Sequence, residues 1–234
     1  MPARVAGCFT GRFAGGSSSG AYGDANLALH VGDDPSAVLA NRAALAARVG
    51  VDPGRVAYLR QVHGRAVAVL ETVPQTEPEA DAAVTAVPGL ALAVLAADCV
   101  PVLLADARTG VVGAVHAGRE GVRLDVVDAA VEAMRALGAV DLAARVGPHI
   151  GRCCYEVGAA VQAELGSAHP ETTATARSGR PSLDLTAGVL AQLAAAGVTR
   201  VHTGSATCTV EDATRFSYRR DGVTGRHAGV VVAR

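Results

Sequence analysis

Apolar positions along the 234-residue chain follow two rhythms, short unbroken runs and longer stretches at helical spacing. The most organised block spans residues 90–121. Residues 90–97 form an unbroken apolar run of strand length, closed by Asp98 and Cys99. Residues 101–105 form a second run, with 106–110 as its turn. Residues 111–115 form a third, closed by His116 and a Gly-X-X-Gly segment (Gly118 to Gly121) that opens a helix. Short apolar runs between turn residues predict buried strands. Further strands are predicted at 56–59, 66–70, 82–87, 140–146, 198–203, 206–210 and 229–232. Helical spacing predicts helices over 36–49, 119–137, 158–165 and 183–195. The first of these has readable ends, with Asp34 as N-cap, Pro35 in the first turn and Gly50 as the stop. The polar segment 169–181 reads as a disordered loop. No repeat, long linker or composition break is present, so the chain reads as a single α/β domain over residues 1–234.

Composition narrows the chemistry. Half of the residues are hydrophobic, yet there are only three Phe, four Tyr and no Trp, so the core must be built from Ala, Val and Leu. A net charge of −1 without a basic cluster argues against a nucleic-acid or membrane surface. Every basic side chain is Arg, which excludes lysine Schiff-base and P-loop lysine chemistry. The Gly/Ser loop at 15–20 is therefore read as a flexible turn. No apolar stretch reaches membrane-spanning length, and the N-terminus lacks a signal-peptide core. Five irregularly spaced cysteines make no disulfide framework, and a reducing cytoplasm is expected.

A thiol at one strand end and an imidazole at the end of a near neighbour bring Cys99 and His116 to one rim of a sheet, where ligands bind in open α/β folds. Alone, a buried Cys or His more often serves packing; the repeated strand-end placement is what singles these out. His63, in the tight Gln61-Val62-His63-Gly64 connection, is a third candidate. His63, Cys99 and His116 supply a Cys-His-His set, and a catalytic zinc keeps three protein ligands and one open position. Asp98 is placed to accept a proton, to orient a ligand imidazole, or to cap the strand end. A rival use of the same residues is a Cys99–His116 thiolate–imidazolium pair in a cysteine hydrolase. A structural zinc clip would want a fourth protein ligand, and none is evident. The adjacent Cys153 and Cys154 are poorly placed to bridge each other and are expected to be packed thiols.

Five ordered motifs then carry a resemblance. They are Gln61-Val62-His63-Gly64, Ala97-Asp98-Cys99-Val100-Pro101-Val102, Val115-His116-Ala117-Gly118, Gly147-Pro148-His149-Ile150-Gly151 with Cys154-Tyr155-Glu156-Val157, and Phe216-Ser217-Tyr218-Arg219-Arg220-Asp221-Gly222. Together with Asn26-Leu27, Val31-Gly32-Asp33-Asp34 and Asn41-Arg42, they resemble the YfiH-like laccase-domain family over nearly the whole chain. This group was long labelled multicopper polyphenol oxidase and later described as purine nucleoside phosphorylases. The resemblance implies a layered α/β/β/α domain with mixed sheets and a catalytic zinc on His63, Cys99 and His116, with copper as a possible substitute. It also implies phosphorolysis of adenosine, inosine, guanosine and methylthioadenosine, with adenosine deamination as a second activity. Nucleoside and phosphate are then the partners of a monomer or small homo-oligomer. Editing of cell-wall precursors on the same site is an alternative role. By motif position Arg42 is the first candidate for the phosphate contact, followed by His149 and Arg219. The family commonly has Trp-Arg after His-Ala-Gly, whereas this chain has Arg119-Glu120. Seven histidines scattered singly do not supply the clustered pairs that a multi-copper centre needs.

Overall fold

Within the apolar runs, alternate side chains fall on opposite faces, and that alternation builds the architecture. The computed structural model describes residues 4–234. In chain order its elements are β1 (Val5–Phe9), α1 (Pro35–Val49), β2 (Val56–Ala57), β3 (Val67–Val69), β4 (Ala82–Thr85), β5 (Ala91–Ala96), β6 (Val100–Ala105), β7 (Val112–Ala117), α2 (Arg119–Arg123), α3 (Val126–Ala136), β8 (Ala143–Val146), α4 (Ala159–Ala168), β9 (Thr173–Thr175), β10 (Pro181–Leu183), α5 (Leu185–Ala195), β11 (Arg200–His202), α6 (Tyr218–Asp221) and β12 (His227–Ala233). One sheet has the order β1-β12-β5-β2 and a larger one β11-β8-β6-β7-β4-β3. Both are mixed: β2 runs parallel to β5, β3 to β4 and β11 to β8, and the remaining pairs are antiparallel.

Three apolar clusters show the layers. Ala91, Ala93 and Leu95 of β5 pack with Leu45, Ala46 and Val49 of α1. Leu92 and Val94, their alternates, meet Leu103, Val112 and Ala114 of the larger sheet. On that sheet's far face, Val100, Val102, Leu104 and Val115 lie against Val127, Val131 and Met134 of α3 and Val189 and Leu193 of α5. The α/β/β/α layering is thus present. The α1 boundaries follow their sequence signals: the Asp34 carboxylate accepts from the Ser36 N–H, and Gly50 adopts the left-handed conformation.

Three predicted elements differ. The helix over 119–137 is two helices, because Asp125 turns left-handed at φ 60°. The buried Gln192 of α5 satisfies the break, donating to the Val122 carbonyl at 2.7 Å and accepting from the Val127 N–H at 3.3 Å. Residues 206–210 are not a strand; only His149 and Cys208 form an isolated bridge there. The segment read as disordered holds β9 and leads into β10, an antiparallel pair braced by Gln162, which donates to the carbonyls of Ala174 and Ser182.

Topology also corrects the expected position of the site. Strands β5 and β6 belong to different sheets, as do β2 and β3 and likewise β11 and β12. His63 and Cys99 therefore lie on segments where the chain crosses between sheets, not on the carboxyl rim of one open sheet. His116 reaches them because β7 pairs with β6 in the register Pro101↔His116.

Candidate metal centre and cavity

The backbone around His63 is shaped by a single carboxylate. Asp81, fully buried, accepts the backbone N–H groups of Val62 (3.2 Å), His63 (2.9 Å) and Gly64 (2.6 Å). The same carboxylate accepts the Nδ1–H of His116 at 2.9 Å. One side chain therefore folds the His63 turn and fixes the His116 tautomer, leaving His116 Nε2 as the available donor. His63 itself adopts φ 62°, a left-handed conformation that imidazole-bearing residues tolerate better than most. Gln61 ties the turn to the end of β5 by a two-way carboxamide pairing with Leu95, both bonds at 2.8 Å.

Through these constraints His63, Cys99 and His116 converge, with one donor atom from each lying within 4.8 Å of the others. Cys99 Sγ is 3.7 Å from His63 Nε2. Tetrahedral zinc with ordinary Zn–S and Zn–N bonds sets an S···N edge of about 3.6 Å, so this pair is already spaced for a shared ion. Electrostatics agree. Burial raises the Cys99 thiol, but the charge and hydrogen bonds of His116 and His63 overcome it and bring it down to about 6. Burial disfavours the His116 imidazolium, yet Cys99 and Asp81 push that group up to about 9. A thiolate, two imidazoles and a carboxylate behind one of them fit a zinc-type donor set.

Gly118 closes the cluster from the other side. A Cβ on Gly118 would stand 2.7 Å from His63 Cδ2 and 3.1 Å from Cys99 Sγ. Its φ of −78° suits any residue, so the constraint is steric alone. Gly118→Ala is expected to lower zinc affinity by about 10–100-fold, as loss of ligand support does. Competition against a chromophoric chelator, with unfolding curves to show that the fold is kept, measures it.

The cluster lines a cavity of about 510 Å³, within the range of small-molecule sites. Around it stand His30, Asp98, Tyr155, Tyr218, Arg219 and Arg226. Asp98, at φ 100°, accepts from the Thr209 hydroxyl at 2.6 Å and from the Arg219 backbone N–H at 2.6 Å. Orientation of a ligand imidazole, one role expected for Asp98, belongs instead to Asp81; Asp98 anchors the segment that carries Arg219. The Arg219 guanidinium donates to the Glu156 carbonyl and lies over Tyr155, while Arg226 lies over Tyr218. Among the described residues neither arginine has a carboxylate partner. Burial draws Arg226 below its usual pKa, against the pull of Cys99 and Asp98.

The other two phosphate candidates lie outside the cavity lining. Arg42 is stacked 3.7 Å over the Tyr58 ring and paired with Glu77 and the Leu27 carbonyl. His149 is buried, donating from Nδ1 to Gly147 and accepting from Thr186 at Nε2. Sequence reading missed Asp81, Arg226 and His30. Tyr155 and Tyr218 sat inside the recognised motifs without being singled out.

Comparison with known proteins is consistent across sequence and structure. The model of a family described as multi-copper polyphenol oxidoreductase laccase matches residues 6–234. A Streptomyces griseus protein named purine nucleoside phosphorylase is 53% identical, over 95% of this chain and 92% of its own length. A Mycobacterium tuberculosis protein of the same name is 48% identical, over 93% and 88%. Among solved structures, a Neisseria meningitidis protein superposes with TM-score 0.87 at 38% identity, covering 97% of this chain and 93% of that one. YlmD from Geobacillus stearothermophilus superposes with TM-score 0.90 at 30% identity, covering 98% and 92%. No helix among the described residues is long and apolar enough to cross a membrane.

Proposed function

The chain belongs to the multi-copper polyphenol oxidoreductase laccase family, and from that premise we propose that it is a cytoplasmic, zinc-dependent purine nucleoside phosphorylase with adenosine deaminase activity. The observation that carries this reading is the convergence of His63, Cys99 and His116 on the wall of a nucleoside-sized cavity. The relatives named purine nucleoside phosphorylase support the choice of substrate class. An oxidase with several coppers is not favoured, because only two of the seven histidines gather in a candidate metal group among the described residues.

In this reading His63, Cys99 and His116 hold zinc, which supplies Lewis acidity toward an oxygen or water in the cavity. Asp81 keeps the proton on His116 Nδ1, so the ring presents Nε2. Arg219 and Arg226 bind phosphate, their guanidinium forks matching its oxygens. Tyr155 and Tyr218 offer aromatic faces to the flat base. Phosphorolysis then joins a phosphate oxygen to ribose C1′ as the C1′–N9 bond breaks and the purine leaves with a proton. Deamination adds water at purine C6 and releases ammonia.

The thiol reading is kept because the depressed Cys99 and elevated His116 also describe a thiolate–imidazolium pair. Purified protein is expected to release base from inosine and adenosine only with phosphate present, to lose that activity to a chelator and to regain it with zinc. A thiol enzyme would survive chelation and be killed by alkylation. Substrate turnover unaffected by both treatments would overturn both readings.

A further inference from the structure

Outside the cavity the fold brings together a second set of metal-ligating side chains. Cys153 and Cys154 follow Gly151 in a tight turn, and Cys208 sits opposite in the 203–217 segment, joined to it by the His149↔Cys208 bridge. The three sulfurs lie within 4.8 Å of one another, and Cys153 Sγ is 3.7 Å from Cys208 Sγ. None of the three lines the large cavity.

We propose that Cys153, Cys154 and Cys208 form a second metal site, independent of the catalytic reading, that takes a thiophilic d¹⁰ cation such as zinc.

Spacing is the first argument. Two thiolates on a tetrahedral zinc stand about 3.8 Å apart, close to the Cys153–Cys208 separation. A disulfide needs the sulfurs near 2.05 Å. Adjacent cysteines cannot easily bridge each other, yet here both face one point shared with Cys208. The second argument is the surrounding shell. The Gly151 N–H donates to Cys208 Sγ at 3.3 Å, the kind of hydrogen bond that supports a ligating sulfur. A Cβ on Gly151 would stand 3.2 Å from Cys153 Sγ and 3.4 Å from Cys208 Cβ, so a side chain there would press on the thiol cluster. Glu211 Oε1 lies 3.8 Å from Cys154 Sγ but is paired with Arg177, so the fourth position falls to solvent.

The site has a structural task. The turn at 151–154 begins beside Ile150, whose N–H donates to the Asp98 carbonyl, and Cys208 precedes Thr209, whose hydroxyl donates to the Asp98 carboxylate. An ion there clips together the two segments that hold Asp98 and, through it, the Arg219 backbone.

The test is metal stoichiometry on protein purified anaerobically with reductant, loaded with zinc and desalted. Wild-type chain is expected to retain two zinc ions, His63→Asn one, and Cys153→Ser/Cys208→Ser one. Cobalt in His63→Asn should give a sulfur-to-metal charge-transfer band that vanishes when the two serine changes are added. Zinc should raise the melting temperature of His63→Asn but not of the triple variant, a readout that also reveals misfolding. A wild type that retains one ion, with the double serine variant unchanged, overturns the proposal. So does a Cys153–Cys208 disulfide found by peptide mapping of the anaerobic protein.

Discussion

On the zinc reading, His63→Asn is expected to abolish metal binding at the His63–Cys99–His116 centre and to reduce phosphate-dependent nucleoside cleavage by about 10³-fold or more. The size follows from losing several kcal/mol of metal-derived stabilisation, at about 1.4 kcal/mol per decade of rate. Asparagine is the informative replacement because it tolerates the left-handed φ of 62° better than most residues. The backbone N–H that Asp81 accepts at 2.9 Å is therefore kept. The His63 ring is exposed, so little core packing is lost. Elemental analysis beside a steady-state assay measures both effects. The rival thiol chemistry makes the opposite forecast, since Cys99 and His116 remain paired and activity should fall only a few-fold.

Asp81→Asn tests the group that organises the centre. Four donors point at this carboxylate: three consecutive backbone N–H groups and the His116 ring. An asparagine has one acceptor oxygen and turns its NH2 toward donors, leaving some of them buried and unpaired. Zinc affinity is expected to fall about 10–100-fold, as when a partner of a ligating histidine is removed. Stability of the metal-stripped chain is expected to fall by about 2–3 kcal/mol, the order for hydrogen bonds to a buried charge. Urea unfolding in chelator isolates the second effect, and zinc competition the first. An affinity loss without a stability loss would confine Asp81 to the imidazole and remove it from the His63 turn.

The apolar rhythm made the strands legible, and with them Cys99 and His116, because a short run must end somewhere and its last residue is marked. His63 was legible through the glycine beside it. Asp81 was not, since an acidic residue before a strand looks like any turn, and its work depends on backbone groups far away in sequence. Arg226 was hidden for another reason: where every basic side chain is arginine, no single one stands out. The break at Asp125 is stabilised by Gln192, a tertiary contact that helical spacing does not encode. Cys153 and Cys154 read as packed thiols because adjacent cysteines bridge each other poorly, and their approach to Cys208 is a tertiary contact that spacing does not encode. Arg42 was placed by motif alone, and the stacking on Tyr58 that holds it away from the cavity lining is again long-range.

Since His63 and Cys99 both ride on stretches of chain that pass from one sheet to the other, the nest for the ion does not exist in either half of the molecule alone. A nascent chain with only one layer assembled offers scattered donors and no shared focus. On the proposed reading, an ion that binds only the finished arrangement would favour the assembled state by mass action. Metal supply would then set how much finished protein accumulates as well as how fast it turns over, if the proposed zinc centre holds.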